Sequence, residues 1–447
     1  MTQDTASPSF DAADTGPRST SVVVTTPIRI VVGPDKAESD PGSTSVWATL
    51  GWAAYLGSAW TWVIGMFLPV LLVRDFGDAG WWAFAVPNVI GAAAVGFVWK
   101  SAAASRSVEQ KHGRAMLTFS MATLALHGFV IAAWLPVMFG GVWAVAAFVG
   151  AVAVAAAARW RWPAIGLGVA VTLVSLSVFG YWQQEAYFRI WSLDLPLPNR
   201  LGDADLLAMA PALAFGFLLC PHLDLTLHRA RRHTSPKAGK AAFALGFVVV
   251  FALMIAFSLM YAPLLRPLFS PRLSFNLVPA LMLSLAIHVT IQAAFTTGLH
   301  LRESARVGGQ RGLILAGLIT ALGIALGLTL QLTDIAGTAS TSIDAGEITY
   351  RLLLLLYGLP FPLYVLLFLT PVGKRATRRL RGWVAVAASG LGTPFAVLGL
   401  VTEETRWLLG VYGVVLFAAA VVWWRPRPAR EEAAALSPIE KGSNHGV

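Results

Sequence analysis

The chain has 447 residues, of which 56% are hydrophobic and only 13% are charged, and its net charge is +10. A soluble domain carries about twice that charged fraction, so the composition excludes an ordinary soluble protein. The mean hydropathy of +0.67 points the same way. The single cysteine, Cys220, excludes an internal disulfide and a multi-cysteine metal or iron–sulfur site.

The two ends of the chain are polar. Residues 1–45 are rich in Ser, Thr, Pro, Asp and Gly, and they lack the basic start and apolar core of a signal peptide. Such a segment is too poor in apolar residues to bury a core, so we expect a disordered tail. Residues 426–447 are predicted to form a second tail. Residues 46–425 are then one transmembrane domain.

Apolar runs of roughly 20 residues, the length that crosses a bilayer as a helix, follow one another through this domain. They predict an all-α polytopic membrane protein with about twelve transmembrane helices. We number them as spans 1 to 12, over residues 47–73, 80–99, 115–139, 141–158, 162–182, 205–228, 240–262, 276–299, 311–332, 350–371, 382–402 and 406–424.

The loops between these spans alternate in charge. Those on one side carry most of the Lys and Arg residues, among them Arg229, Arg232 and Arg306. The positive-inside rule therefore predicts that both termini are cytoplasmic and that the protein lies in the inner or plasma membrane. Because membrane orientation accounts for these loop charges, the net charge of +10 does not indicate a nucleic-acid partner.

Two spans contain helix-breaking residues in their middle. Span 1 reads YLGSAWTWVIGMFLPVLLVRDFG, and span 6 reads LAFGFLLCPHLDLTLHR, in which Pro221 precedes Asp224. A broken helix frees backbone groups, so it survives in a membrane only where protein or a water-filled cavity receives them. The two spans are five apart, an odd number, so the halves face opposite ways. This pattern predicts a five-plus-five inverted repeat, with spans 11 and 12 as additions.

The TWVIGMFLPVLLV of span 1, the VPNVIGAAAVGFV of span 2 and the HLDLTLHRARRHTSP of span 6 resemble segments of nucleobase–cation symporters. Over spans 1–10 the pattern is similar to the amino acid–polyamine–organocation superfamily, whose members, like sodium–solute symporters, have the leucine-transporter (LeuT) fold. The resemblance implies that a solute binds between the broken middles of spans 1 and 6, with spans 3 and 8 closing the site.

The candidate solute-binding residues lie on those four spans. Aromatic faces beside a broken helix suit a flat or apolar solute, although Trp is also common at membrane interfaces. Asp224 is a candidate because burying its charge is costly. It either faces a cavity or pairs with His228 or Arg229 at the cytoplasmic gate. The predicted set is Ser58, Trp60, Thr61, Trp62, Gly65, His127, Pro221, His222, Asp224, His288 and Gln292.

The sequence offers two candidates for the coupling cation, sodium and a proton. His288, Gln292 and Thr296 are spaced by four and share one helical face. Thr296 and Thr297 resemble the adjacent Ser/Thr pair with which many relatives hold sodium, which implies a sodium site, although a membrane-helix Thr often only bonds its own i−4 carbonyl. Alternatively His127, His288 or Asp224 carries a proton, because histidine titrates near physiological pH. No other cofactor is predicted.

The predicted function is cation-coupled secondary transport of a small organic solute, in which spans 1 and 6 rock against a scaffold of spans 3, 4, 8 and 9. The first alternative is an enzyme resembling lipid-linked glycosyltransferases, with Asp75 and Asp78 as its acids, but Arg74 beside Asp75 favours an ion pair there. A major-facilitator-type transporter and a sensor are the others. The sequence leaves the solute and the oligomeric state open.

Overall fold

A computed structural model describes residues 44–184, 200–265, 279–332 and 345–424, so the two predicted tails lie almost wholly outside the described residues. Within these ranges every regular element is helical, and there are fifteen α-helices. They are, in chain order, α1 (Val46–Thr61), α2 (Ile64–Val98), α3 (Ala102–Ala133), α4 (Leu135–Phe139), α5 (Gly141–Ala157), α6 (Arg161–Gln184), α7 (Asp203–Leu219), α8 (Leu225–Arg232), α9 (Pro236–Ala244), α10 (Ala252–Leu265), α11 (Pro279–Leu332), α12 (Ala345–Gly358), α13 (Pro360–Phe368), α14 (Arg378–Val401) and α15 (Leu408–Trp423).

The helices have the dimensions and surface of membrane helices. Nine helical segments of the described chain are long and apolar enough to cross a bilayer, and α5 is a shorter apolar helix of 17 residues. Large apolar side chains such as Leu322 and Phe417 face outward and are exposed. So extensive an apolar surface suits lipid rather than water. The prediction of an all-α polytopic membrane protein is confirmed at this level.

Two of the nine segments are each a pair of helices joined through one glycine. Gly77 in α2 and Gly309 in α11 have φ values of 63° and 61°. Only glycine adopts this left-handed backbone without strain. As a result α2 holds the second half of predicted span 1 together with span 2, and α11 holds spans 8 and 9. The loops expected between those spans are helical up to the glycine.

Two other predicted spans are not single regular α-helices in the structure. Predicted span 7 is part of a longer helical run from α9 to α10, with a π-helical segment at Leu245–Phe251. Predicted span 10 is divided into α12 and α13 at Leu359. The following Pro360 has no N–H to donate, so a new helix begins there.

The helices pack in two groups that meet at the site. In one group α3 and α5 both pack along α11. In the other, α2 packs against α7 and α10, and α1 packs against α9 and the π-helical segment. Small residues permit close packing of membrane helices, and a Cβ at Gly323 of α11 would lie 2.2 Å from the Ala125 carbonyl oxygen of α3. The cavity described next lies between these groups.

Candidate functional site

Both helix breaks open into one internal cavity of about 140 Å³. The first break follows Thr61, where Trp62 is extended (φ −80°, ψ 142°) before α2 begins at Ile64. The second follows α7, where the 3₁₀ turn Cys220–Leu223 leads to an extended Asp224 before α8. Chain segments from both interrupted helices therefore face the same space, and side chains of α3, α11, α12, α14 and α15 complete its wall.

Five of the predicted solute-binding residues line this cavity: Trp60, Trp62, Gly65, His127 and Asp224. The rest of the wall is mostly apolar. Its other polar side chains are few, and they include Asn88, Thr123, Cys220, His300 and Tyr357. A small solute would therefore meet aromatic and aliphatic surfaces with a few fixed hydrogen-bonding groups, the usual composition of a small-molecule site.

Polar bonds hold this wall in place. Trp60 donates its indole N–H to Asn88 Oδ1 at 2.7 Å, which ties the end of α1 to the second half of α2. On α3, the Thr123 hydroxyl bonds the Tyr357 hydroxyl at 2.8 Å. Cys220 donates its thiol to the Tyr357 carbonyl oxygen at 3.2 Å, and its side chain is buried. The cysteine is therefore closed off from water in this conformation although it borders the cavity.

Other predicted residues lie behind the break in span 1 rather than on the cavity wall. The Ser58 hydroxyl bonds that of Thr172 at 2.9 Å, and Thr61 donates to the Gly57 carbonyl oxygen at 2.8 Å. Gln292 donates to the Ser175 hydroxyl at 3.0 Å. The Ser58 and Gln292 bonds fasten α1 and α11 to α6, whereas the Thr61 bond lies within α1, and none of the three predicted residues lies on the wall.

Three predicted residues lie elsewhere. Pro221 is in the 3₁₀ turn of span 6. His222 packs edge-on against Trp99, with ring centroids 5.8 Å apart. His288 is fully buried against Phe257, and neither of its ring nitrogens has a partner among the described residues. None of the three lines the cavity.

The predicted sodium ligands bond to different helices. Thr296 donates to the Ser58 carbonyl oxygen of α1 at 3.3 Å, whereas the Thr297 hydroxyl bonds His127 Nδ1 of α3 at 3.0 Å. The oxygens of Thr296 and Ser58 are close enough to share a cation. The Thr297 hydroxyl, however, is hydrogen-bonded to His127. The two threonine hydroxyls therefore face different helices. This geometry does not favour the predicted pair, and the sodium site stays a prediction.

One carboxylate oxygen of Asp224 caps a helix, and the other faces His300. Its Oδ1 accepts from the backbone N–H and hydroxyl of Thr226, at 2.6 and 2.7 Å, which caps α8. Its Oδ2 lies 3.8 Å from His300 Nε2. The predicted alternative, a pair with His228 or Arg229, is wrong. His228 instead bonds Ser105 and the His222 carbonyl oxygen, and Arg229 pairs with a glutamate described below.

His300 was missed by the sequence reasoning, although a signal for it exists. Continuing the four-residue step from His288, Gln292 and Thr296 reaches His300 directly. Four residues advance about 40° past a full helical turn, so such a stripe winds around its helix. His288 consequently lies among the aromatic side chains near α10, whereas His300 borders the cavity.

A cluster of six charged residues, four of them buried, borders one end of the cavity; we call it the outer cluster, after the membrane side predicted for it. Glu347 accepts from Arg74 at 2.7 Å and from Arg351 at 2.8 Å. Asp75 accepts from Arg74 at 2.8 Å and Arg351 at 3.2 Å. Glu403 and Arg200 complete it, so that three arginines balance three carboxylates. Asp75 and Arg351 also line the cavity.

A second cluster, the inner cluster, lies beyond Asp224 and His300 on the predicted cytoplasmic side. Glu303 of α11 accepts from Arg229 at 3.0 Å, Arg232 at 3.1 Å and Arg306 at 2.7 Å. Glu109 of α3 pairs with Arg232 and, at 2.9 Å, with Arg306. The expectation that these arginines lie in loops is wrong for Arg229 and Arg232, which are buried because they neutralise buried glutamates.

The two clusters and the cavity span one continuous stretch of the protein, from residues of α2 and α12 at one end to α8 and α11 at the other. Neither a family model nor a curated protein matches the chain. The resemblance noted in the sequence therefore stays a hypothesis, and the function has to be argued from the site.

Proposed function

We propose that the protein is a secondary active transporter that moves a small organic solute across the cytoplasmic membrane by alternating access, driven by a cation gradient. The observation that carries this is a cavity at two helix breaks, bordered by the outer cluster at one end and followed beyond Asp224 and His300 by the inner cluster, both of them largely buried. Ion pairs are suited to gates, because water that enters on opening solvates the separated charges. An open channel would not need two such closures.

The helix arrangement supports the same proposal. If each of the two segments divided at a glycine is counted as two crossings, the nine long segments and the shorter α5 are consistent with the predicted twelve. The breaks fall in the first and sixth of these, as a five-plus-five inverted repeat of the leucine-transporter fold requires. The two packing groups correspond to the moving spans 1, 2, 6 and 7 and to the scaffold spans 3, 4, 8 and 9. Motion between them would open the inner cluster, which joins α8 to α3 and α11; the outer cluster joins α2 to α12, so α2 would have to move against α12 to open it.

The enzyme alternative has less support. Asp75, the first acid proposed for it, is bound to three arginines of the outer cluster and is buried, so it has no free oxygen for a donor substrate. Asp78 is exposed one turn away. We therefore propose transport rather than catalysis. The solute is then the ligand of the cavity, and the lipid bilayer surrounds the helices.

The native cysteine offers a test that does not require the solute to be known. Cys220 is the only cysteine in the sequence, borders the cavity and is 2% exposed. A membrane-impermeant thiol reagent should modify it slowly from outside in intact cells and slowly from the cytoplasmic side in inverted vesicles, because each cluster opens part of the time. Cys220→Ser measures the background.

Reaction from one side alone would contradict alternating access and would fit a sensor or an enzyme with a single entrance. Rapid reaction from both sides at once, with passage of the reagent into the vesicle, would indicate a pore. Slow reaction from each side without leakage is the result that the proposal requires.

For the predicted sodium site we expect a negative result. Sodium and potassium at equal ionic strength should give the purified protein the same melting temperature, because the Thr297 hydroxyl is bonded to His127 instead of facing α1. A ligand that binds only the folded state must raise stability. A sodium-specific rise that Thr296→Ala removes, and that the exposed Thr329→Ala on the same helix keeps, would overturn this expectation and support the sodium site.

A further inference from the structure

Two titratable groups face each other at the cytoplasmic end of the cavity without touching. The 3.8 Å between Asp224 Oδ2 and His300 Nε2 is too long for a hydrogen bond but within reach of an ion pair. Both side chains are about 1% exposed and both border the cavity. Protonation of His300 would turn this contact into an ion pair between imidazolium and carboxylate, which engages the negative charge of Asp224.

The same two helices carry the inner cluster. Asp224 caps α8, and Arg229 and Arg232 lie on α8. On α11, Glu303 follows His300 by three residues and therefore lies on the same face, one turn nearer the cytoplasm. Asp224 and His300 therefore lie on the two helices whose ion pairs close the inner end, and once Asp224 pairs with a protonated His300 its charge no longer compensates the arginines of that cluster.

The net charge of the inner cluster and the His300–Asp224 pair depends on whether His300 is protonated. Arg229, Arg232 and Arg306 face Glu109 and Glu303, and Asp224 supplies the third carboxylate. With His300 neutral, these three positive and three negative charges cancel; Arg231 on α8 is a further buried positive charge, and its guanidinium donates to backbone carbonyl oxygens such as that of Trp99, at 2.6 Å. With His300 protonated, one positive charge is in excess in a buried region. An excess buried charge is costly, and water that enters from the cytoplasm relieves the cost.

Other groups that face the pair do not cancel this effect. His300 donates to or accepts from Ser120 at 3.3 Å, and its ring lies 5.7 Å from that of His127. The titratable groups around the pair come from every neighbouring helix and are Tyr55, His127, His228, Glu303 and Tyr357. Of these only Glu303 carries a full charge opposite to the imidazolium, and it is already shared among three arginines.

We propose that His300, paired with Asp224, is the binding site of the coupling ion, that this ion is a proton, and that its binding releases the inner cluster. This inference rests on the proposed transport function and specifies its cation. A proton that enters from the outside binds His300 Nε2. The excess charge then favours separation of Arg229 and Arg232 from Glu303, and the proton leaves to the cytoplasm once water reaches the site.

The test measures Cys220 modification from the cytoplasmic side of inverted vesicles, from about pH 8 to about pH 5, the range in which histidine titrates. The variants are His300→Gln and Asp224→Asn. Asparagine caps a helix as well as aspartate does, so the second variant removes the charge and keeps the cap of α8. His112→Gln, which alters a histidine on α3 outside the cavity, is the matched control.

The reactivity of a thiol changes with pH by itself, so the rate of the wild type is divided by that of His300→Gln at each pH. We expect this ratio to rise as the pH falls, by up to about tenfold per pH unit for one linked proton. The same ratio for His112→Gln should follow the wild type, and that for Asp224→Asn should stay flat.

The inference would be overturned if the ratio of the wild-type rate to the His300→Gln rate did not change with pH. It would also be overturned if the ratio for Asp224→Asn rose with falling pH as steeply as that of the wild type. If Cys220 still reacts slowly from both sides in that case, transport stands and only the proton site fails. If Cys220 reacts from one side alone at every pH, the transport proposal itself fails. If His300→Gln does not fold, the rate of Asp224→Asn takes its place as the denominator; if Asp224→Asn does not fold, the ratio of the wild type to His300→Gln decides alone.

Discussion

Replacing Glu303 by glutamine should both destabilise the protein and open the end of the cavity that is predicted to face the cytoplasm. Glu303 is fully buried and is the one carboxylate that binds Arg229, Arg232 and Arg306 together. Removing one partner of a buried ion pair costs about 3–5 kcal/mol, because the remaining charge is left without compensation. The protein escapes part of this cost when water enters between the separated arginines. Glu303→Gln should therefore lower the melting temperature and speed Cys220 modification from the cytoplasmic side by roughly tenfold or more, since each 1.4 kcal/mol is a factor of ten.

A matched control is available at the surface. Glu404 pairs with Arg406 at 2.7 Å, but both side chains are largely exposed. The hydrogen bond from Arg406 holds the pKa of Glu404 below its usual value, so Glu404→Gln also removes a real charge. Exposed ion pairs contribute little to stability, and this variant should leave both measurements unchanged. Equal effects of the two substitutions would show that burial of the inner cluster has no energetic consequence, and the gate would have to be sought elsewhere.

The fold was predictable where the signal is local. Runs of apolar residues locate the membrane helices, and the interruptions at Trp62 and at Pro221 appear directly in the sequence. Those features depend on a few consecutive residues, so one chain is enough to find them. Helix ends were less predictable, because a glycine such as Gly77 or Gly309 turns the chain within one residue while both flanking helices continue to it. The count of twelve spans and the inverted repeat stay predictions.

The candidate site was predictable only in part, because the clusters depend on contacts between distant residues. Arg74 binds Glu347, 273 positions later, and Arg232 binds Glu109, 123 positions earlier. Nothing in the local sequence distinguishes a loop arginine in water from one that neutralises a buried acid. The positive-inside rule assigns Arg232 a membrane side but not a partner.

The second large effect is expected at the opposite end of the cavity. Glu347 is fully buried and bridges Arg74 of α2 to Arg351 of α12, so Glu347→Gln leaves three arginines with only two carboxylates. Asp75 and Glu403 still bind these arginines, and the loss should be at the lower end of about 3–5 kcal/mol. Cys220 should then react faster from outside in intact cells. It should react more slowly from the cytoplasm, because under the proposed alternating access a cavity that is open outward is closed inward.

This opposite change is what separates a gate from a general loss of structure. If Glu347→Gln only loosened the fold, Cys220 would react faster from both sides, as it would in any partly unfolded variant. If the two clusters close one cavity in alternation, each substitution shifts the same equilibrium in the opposite direction. In the variant that combines Glu303→Gln with Glu347→Gln, the rates of Cys220 modification from the two sides should then return to near those of the wild type. The melting temperature should fall further, since the effects of distant substitutions on stability add. A double variant that reacts rapidly from both sides and leaks the reagent would show instead that the clusters act independently.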